Sequence, residues 1–233
     1  MSQREYRRRA IGVIVPSSNR VVERVATRML SGQSEVDLCI ARVPYGGIVD
    51  GGARARYRLE VFDTAAALLA DAGVDVICWN ATRGAMLGFD PDRELCRRLE
   101  GRTGIATVTT ALGTLERLRD RARDRIGFIT QGDEAEAADV SARFRSEGVE
   151  VTSRSWLGII HNLDAAQIDP GELSARIEEF ASGSSLDTVV VWSTNLPGFE
   201  ARLAGPATSS LNILDSAEIG MRSALSSLNQ RHA

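Results

Sequence analysis

Long apolar runs are missing from this chain. No stretch approaches the roughly 18–20 consecutive apolar residues that a membrane-spanning helix needs. No signal-peptide pattern precedes the first strand-like run, so we expect a cytoplasmic protein with no membrane partner. An excess of charge is missing too: 28 basic side chains face 31 acidic ones, for a net charge of -3. That balance removes any general electrostatic case for nucleic acid. The basic start, Arg4 with Arg7-Arg8-Arg9, is short and reads as a solvated tail. Cysteine is scarce. Cys39, Cys78 and Cys96 are odd in number and unclustered, which argues against a disulfide framework or a zinc site. Cys78 precedes Trp79 in an alternating apolar strand, so we expect it on a packed face. Of the two histidines only His161 lies outside the tail, and no metal is expected. The glycines nowhere make GxGxxG after a strand, so there is no dinucleotide fingerprint.

What is present reads as α/β. Apolar runs of four to eight residues alternate with helical patterns, as in parallel sheets with crossover helices. The expected strands are Ile11–Val15, Val36–Val43, Val74–Trp79, Ile105–Val108, Ile126–Thr130, Val149–Trp156, Thr188–Trp192 and Leu211–Leu214. Gly73 and Gly148 are placed to stop helices, and Thr110 and Ser216 to start them. The chain also repeats itself. IGVIVPSSN (Ile11–Asn19) parallels IGFITQGDE (Ile126–Glu134), 115 residues on. VDVICWNATRG (Val74–Gly84) parallels LDTVVVWSTNLPG (Leu186–Gly198), which sets Trp79 against Trp192. We therefore expect two similar Rossmann-like lobes related by a pseudo-twofold, residues 1–109 and 110–216, with the helix over 217–233 packing back on the first.

Open α/β sheets bind ligands beyond the carboxyl ends of their strands. Four polar segments stand there: Pro16–Asn19, Asn80–Gly84, Thr130–Glu134 and Ser193–Gly198. A polar row past a strand offers amide, hydroxyl and backbone N–H donors, which suits an anion or oxyanion. PSSN (Pro16–Asn19) can equally be a good helix cap and nothing more.

The stretch IGVIVPSSNRVVE resembles the maleate cis-trans isomerase and arylmalonate decarboxylase branch of the Asp/Glu racemase superfamily. So do the two-lobed repeat and the polar strand ends, over roughly Ile11 to Leu228. The resemblance implies a cofactor-free enzyme acting on a small carboxylic acid, with the PSSN asparagine and nearby hydroxyls and amides holding the carboxylate. Most members carry one cysteine at a strand end in each lobe. This chain departs there: the first position falls on Asn80 or Ala81, the second on Ser193 or Thr194. The tyrosine usual after the fifth strand is replaced by Thr130-Gln131-Gly132. Without a thiolate, two-base racemisation and thiolate addition to a double bond lose their reagent.

The expected substrate-binding residues are Ser17, Ser18, Asn19, Ala81, Thr82, Arg83, Thr130, Gln131, Ser193 and Asn195, with Asn80 and Thr194 completing the oxyanion cradle. Tyr45 and His161 are the candidate proton carriers. Tyr45 begins the glycine-rich stretch YGGIVDGGARAR, read as a substrate loop, and His161 sits in IIHN. Arg83 can clamp a carboxylate at two points or make a surface ion pair. Asp133 and Glu134 are the acids a helix start favours. The expectation is a lyase or isomerase working through an enolate-like intermediate, decarboxylation or carbon–carbon cleavage before racemisation. Its alternative is a carboxylate binder without catalysis. In either case we expect a homo-oligomer with a small carboxylate as partner and no cofactor.

Overall fold

The apolar runs become strands because their β-branched residues fill both faces of a covered sheet. The computed structural model describes residues 8–44, 58–82, 86–121, 124–205 and 210–230. In the first sheet β1 (Arg9–Pro16) is central and buried from Ala10 to Pro16. It pairs in parallel with β2 (Val36–Val43) and β3 (Val76–Trp79), and β3 pairs with β4 (Ala106–Thr109), giving the order β2-β1-β3-β4. The second sheet has β5 (Ile126–Thr130), β6 (Ser153–Trp156), β7 (Thr188–Trp192) and β8 (Asn212–Asp215) in the order β6-β5-β7-β8. The two sheets are separate and have one strand order. The expected strand over Val149–Trp156 is shorter in the structure, because β6 is an edge strand paired only along Gly127–Thr130 of β5.

The helices are α1 (Val22–Leu30), α2 (Leu59–Asp71), α3 (Asp90–Thr103), α4 (Thr110–Arg119), α5 (Glu134–Ser146), α6 (Asn162–Ala165), α7 (Pro170–Ser184), α8 (Gly198–Ala204) and α9 (Ser216–Gln230). One face of the first sheet carries α2 and α3, through Phe62, Ala65, Leu69, Leu95 and Leu99. The other carries α1 with α9, through Val22, Val25, Ala217, Met221 and Ala224. The second sheet is covered by α4 and α5 on one face and by α7 and α8 on the other. The helix after each sheet's last strand therefore crosses to the other sheet. On that packing we propose the division at 109/110, with α9 returning to the first lobe.

Gly73 and Gly148 follow α2 and α5 with φ of 69° and 83°, the left-handed conformation that glycine adopts without strain. The helix starts differ from expectation. Thr109, not Thr110, caps α4 by accepting from the Leu112 N–H, and Asp215, not Ser216, caps α9 by accepting from the Glu218 N–H. A cap needs extended backbone, and the last strand residue already has it: Thr109 sits at φ -132°, ψ 153°.

The register corrects the repeat. Ile14 pairs with Trp79, whereas Ile129, its counterpart, pairs with Val191. Trp192 is therefore the counterpart of Asn80, Ser193 of Ala81 and Thr194 of Thr82. The tryptophans face opposite ways, as a one-residue slip requires. Trp79 meets the Phe62 ring edge-on at 4.8 Å on the α2 side, and Trp192 meets Phe144 at 5.1 Å on the α5 side.

The two exchanged helices approach each other closely. A Cβ at Gly220 would collide with Thr110 Oγ and lie 2.5 Å from Asn80 Nδ2, both of them buried. Gly220→Ala should cost about 1–3 kcal/mol, the usual penalty of overpacking. An unfolding midpoint in urea equal to that of the parent would remove this contact from the account.

Candidate functional site

The carboxyl ends of both sheets meet through side-chain amides. After β1 the chain turns at Ser17 and Ser18 and enters α1. Asn19 is buried there. Its Oδ1 accepts from the N–H groups of Val21 (3.1 Å) and Val22 (3.0 Å), capping the first turn of α1. Its Nδ2 crosses to the other lobe and donates to the Thr194 carbonyl (3.0 Å) and hydroxyl (3.2 Å). Asn195 answers in the reverse direction. Its Oδ1 accepts from the Arg20 N–H at 2.8 Å and its Nδ2 donates to the Asn162 carbonyl. Asn162 in turn donates to Ser18 Oγ at 2.8 Å. Ser193 donates to Gln131 Oε1 at 2.8 Å and accepts from the Asn195 N–H at 3.1 Å. Four segments are joined in this way: those after β1, β5 and β7 and the loop after β6. The Arg42 guanidinium ties the first of them down, donating to the carbonyls of Ser17 (3.1 Å) and Asn19 (2.9 Å).

Apart from the Arg42 guanidinium at its edge, every side chain in this cluster is an amide or a hydroxyl. Such groups cost less to desolvate than ions, so they can be buried and still present donors. The Thr82 and Thr194 N–H groups make no hydrogen bond among the described residues, and they occupy equivalent positions in the two lobes.

The fold that carries this cluster occurs in solved structures. The chain has the fold of maleate isomerases. A maleate isomerase from Pseudomonas putida with maleate superposes with a TM-score of 0.82 at 22% identity, over 95% of this chain and 92% of that one. A Nocardia farcinica maleate cis-trans isomerase with a covalently bound succinylcysteine intermediate gives 0.77 at 20% identity, over 95% and 93%. An arylmalonate decarboxylase in a sulfate-associated form gives 0.72 at 18% identity, over 94% and 93%. No family model matches the sequence, and no curated protein matches it. Against this maleate isomerase fold, the expected site residues divide clearly.

Ser18, Asn19, Gln131, Ser193, Thr194 and Asn195 are brought together. Ser17 takes part through its carbonyl. Thr130 is buried below the cluster, with its hydroxyl donating to the Ser155 carbonyl at 3.4 Å. Ala81 is buried in the apolar group of Phe62 and Trp79, and Thr82 stands half-buried beside it. Asn80 is a correction. Its Nδ2 donates to the Ala217 carbonyl and its Oδ1 accepts from Thr110 Oγ, each at 3.0 Å. The side chain points beneath the sheet at α9 and α4, so it braces the exchanged helices and leaves the cradle. Cys78 shares that face, with its thiol on the Gly220 carbonyl. It is fully buried, and desolvation pushes its pKa well above the ordinary thiol range. His161 is exposed at the start of α6 and makes no side-chain cap. Tyr45, Arg83 and the loop Tyr45–Arg56 lie outside the described residues.

Two participants escaped the sequence reading. Asn162 directly follows the candidate His161 and is the one that enters the cluster. Arg42 lay in a strand and gave no sign of reaching past its end. One absence was also legible and bears on chemistry: the chain has no lysine, since all 28 basic side chains are arginine. Schiff-base catalysis through a lysine is thereby excluded.

Proposed function

We propose that the protein is a cofactor-independent lyase or isomerase for a small carboxylic acid, working through an enolate-like intermediate. The observation that carries this reading is the interlobe cluster of neutral donors at the strand ends, with no thiol in it. The fold neighbours support the substrate class: one holds maleate, another carries a succinylcysteine, and a third is named for arylmalonate decarboxylation. In decarboxylation the bond between the α-carbon and the departing carboxyl breaks. The electron pair moves onto the remaining carboxylate as an enediolate, and carbon dioxide leaves. Peptide N–H groups at Thr82 and Thr194 are placed to hold such an oxyanion, helped by hydroxyls beside them. The α-carbon then takes a proton, with Tyr45 and His161 as its candidate carriers. Binding in a dry cleft also favours loss of one carboxylate, because its charge is poorly solvated there and is relieved as neutral carbon dioxide leaves and the charge passes to the hydrogen-bonded enediolate.

A second reading is a carboxylate binder without turnover. One observation favours it: apart from the always-charged Arg42, the cluster holds no acid, histidine, cysteine or tyrosine among the described residues. The test is a panel of small mono-, di- and arylmalonic acids, followed for carbon dioxide release and for isomerisation. Turnover that survives alkylation of accessible thiols is the expected result. Calorimetric binding with no turnover across the panel would establish the binder instead. Activity lost on alkylation would overturn the thiol-free mechanism.

A further inference from the structure

Away from the cleft, four elements enclose a cavity of about 110 Å³ that the proposed reaction does not use. It is walled by the strand β8 and by arginines from three helices: Arg117 of α4, Arg202 of α8 and Arg222 of α9. At roughly 30 Å³ per water, the space suits three or four waters or one carboxylate or phosphate group.

The charges are arranged unevenly around it. Glu218 is nearly buried and holds two of the guanidiniums in place. Arg202 donates to its Oε2 at 2.9 Å, and Arg222 donates to its Oε1 through Nε at 2.9 Å and Nη2 at 2.6 Å. Arg117 has no such partner. It makes no ion pair or hydrogen bond among the described residues, and its Nε is buried without an acceptor. The Arg202 Nε is buried and unpaired as well. Buried N–H groups left unpaired are costly, so both are open to a bound acceptor. Asp215, the second acid on the wall, spends Oδ1 on the Glu218 N–H at 2.7 Å, and its Oδ2 has no partner. Burial pushes its pKa up to about 8, so it carries a proton at neutral pH and opposes an anion little. Glu200, on the same helix as Arg202, turns its Oε1 to Arg24 instead. The equivalent position in the first lobe, Thr109, caps its helix with a neutral hydroxyl, and no arginine trio accompanies it.

We propose that Arg117, Arg202 and Arg222 form a binding site for a small oxyanion, a carboxylate or phosphate group, separate from the cleft. Guanidinium forks match both groups in two-point geometry. Glu218 presets two of them, and Arg117 supplies the unneutralised third. Arg202 lies on α8, whose first residue, Gly198, follows the cleft loop Ser193–Pro197, so an anion here would also steady that loop.

Calorimetry on the full chain at pH 7, with inorganic phosphate and with acetate, tests the site. Melting temperatures with the same anions provide a second measurement. The parent should bind at least one of them, and Arg117→Gln should weaken that binding at least tenfold. Arg222→Gln, on a half-exposed side chain, should also weaken it, which keeps the test open should the first variant fold poorly. A heat of acetate binding that the arginine variants leave and Thr194→Val removes belongs to the cleft; the part lost in the arginine variants should persist in Thr194→Val. Phosphate binding alone would mark a phosphoryl ligand, and acetate alone a carboxylate; either supports the site. No binding in the parent, or equal binding in both arginine variants, would show a self-contained ion cluster. Loss confined to Thr194→Val would place the anion in the cleft. Both results overturn the proposal.

Discussion

Asn195→Ala should lower stability by about 2–4 kcal/mol and abolish carboxylate binding in the cleft. Asn195 is buried, and both of its polar ends are occupied: Oδ1 by the Arg20 N–H of one lobe, Nδ2 by the Asn162 carbonyl of the other. Alanine strands both groups. Both bonds are part-buried, so water can partly replace them and each loss is about 0.5–1.5 kcal/mol, to which the void left by the buried side chain adds on the order of 1 kcal/mol. The loss falls on the contact between lobes, so the segments that form the candidate cradle would separate. Urea denaturation measures the first effect and calorimetry with malonate the second. Asn19→Ala should behave similarly but also loosen α1, because the same Oδ1 caps two N–H groups there. A cap of this kind contributes about 0.5–2 kcal/mol. A parent-like midpoint for Asn195→Ala would mean that the lobes are held elsewhere.

Much of this was legible in the sequence. Most of the strands were legible because buried parallel strands need near-continuous apolar, often β-branched residues; the exception is the edge strand β6, Ser-Arg-Ser-Trp, which is half exposed and was marked only by the apolar residues before it. The polar segments at their ends were legible for the complementary reason: a loop at the mouth of a sheet must satisfy backbone groups that the ladder no longer pairs. Direction was harder. Trp79 and Trp192 look equivalent in the sequence, yet the register sets Trp192 against Asn80. Matching residue types cannot detect a one-position slip when both strands are apolar throughout. The signal that places Asn80 was nonetheless present. Strand side chains alternate, so Cys78 and Asn80 share a face, and the argument that buried Cys78 carries Asn80 with it. Thr109 and Asp215 were missed as caps for a related reason: a helix that starts directly from a strand takes its cap from the strand. The arginine trio could not be read at all, since Arg117, Arg202 and Arg222 are distant in sequence and ordinary on amphipathic helices. Only the crossing of α4 and α9 between lobes brings them together.

Thr82→Val and Thr194→Val should each reduce turnover by roughly tenfold to a thousandfold, the scale of losing one donor to an oxyanion. Valine keeps the shape and removes the hydroxyl, so folding should change little at Thr82. At Thr194 the Asn19 amide keeps its bond to the carbonyl. Asn80→Ala should do the reverse: it removes the brace to Ala217 and Thr110, lowers stability and leaves kcat of the folded fraction near that of the parent. The contrast separates donors from braces, which a single variant cannot do. A further variant addresses the missing thiols. Ala81→Cys combined with Ser193→Cys puts cysteine at equivalent positions of both strand ends, yet it should not isomerise maleate efficiently. Position 81 is buried against Phe62 and Trp79. A thiol there meets the desolvation that raises the pKa of Cys78, so it stays protonated and unreactive at neutral pH. Burial alone, before any question of substrate shape, makes the site unsuited to a thiolate. Three measurements decide: kcat for the threonine variants, the unfolding midpoint for Asn80→Ala, and the rate of maleate isomerisation for the double cysteine variant. Full activity in both threonine variants would remove the two hydroxyls from the oxyanion cradle, and efficient maleate isomerisation by the double variant would show that only the thiols were lacking.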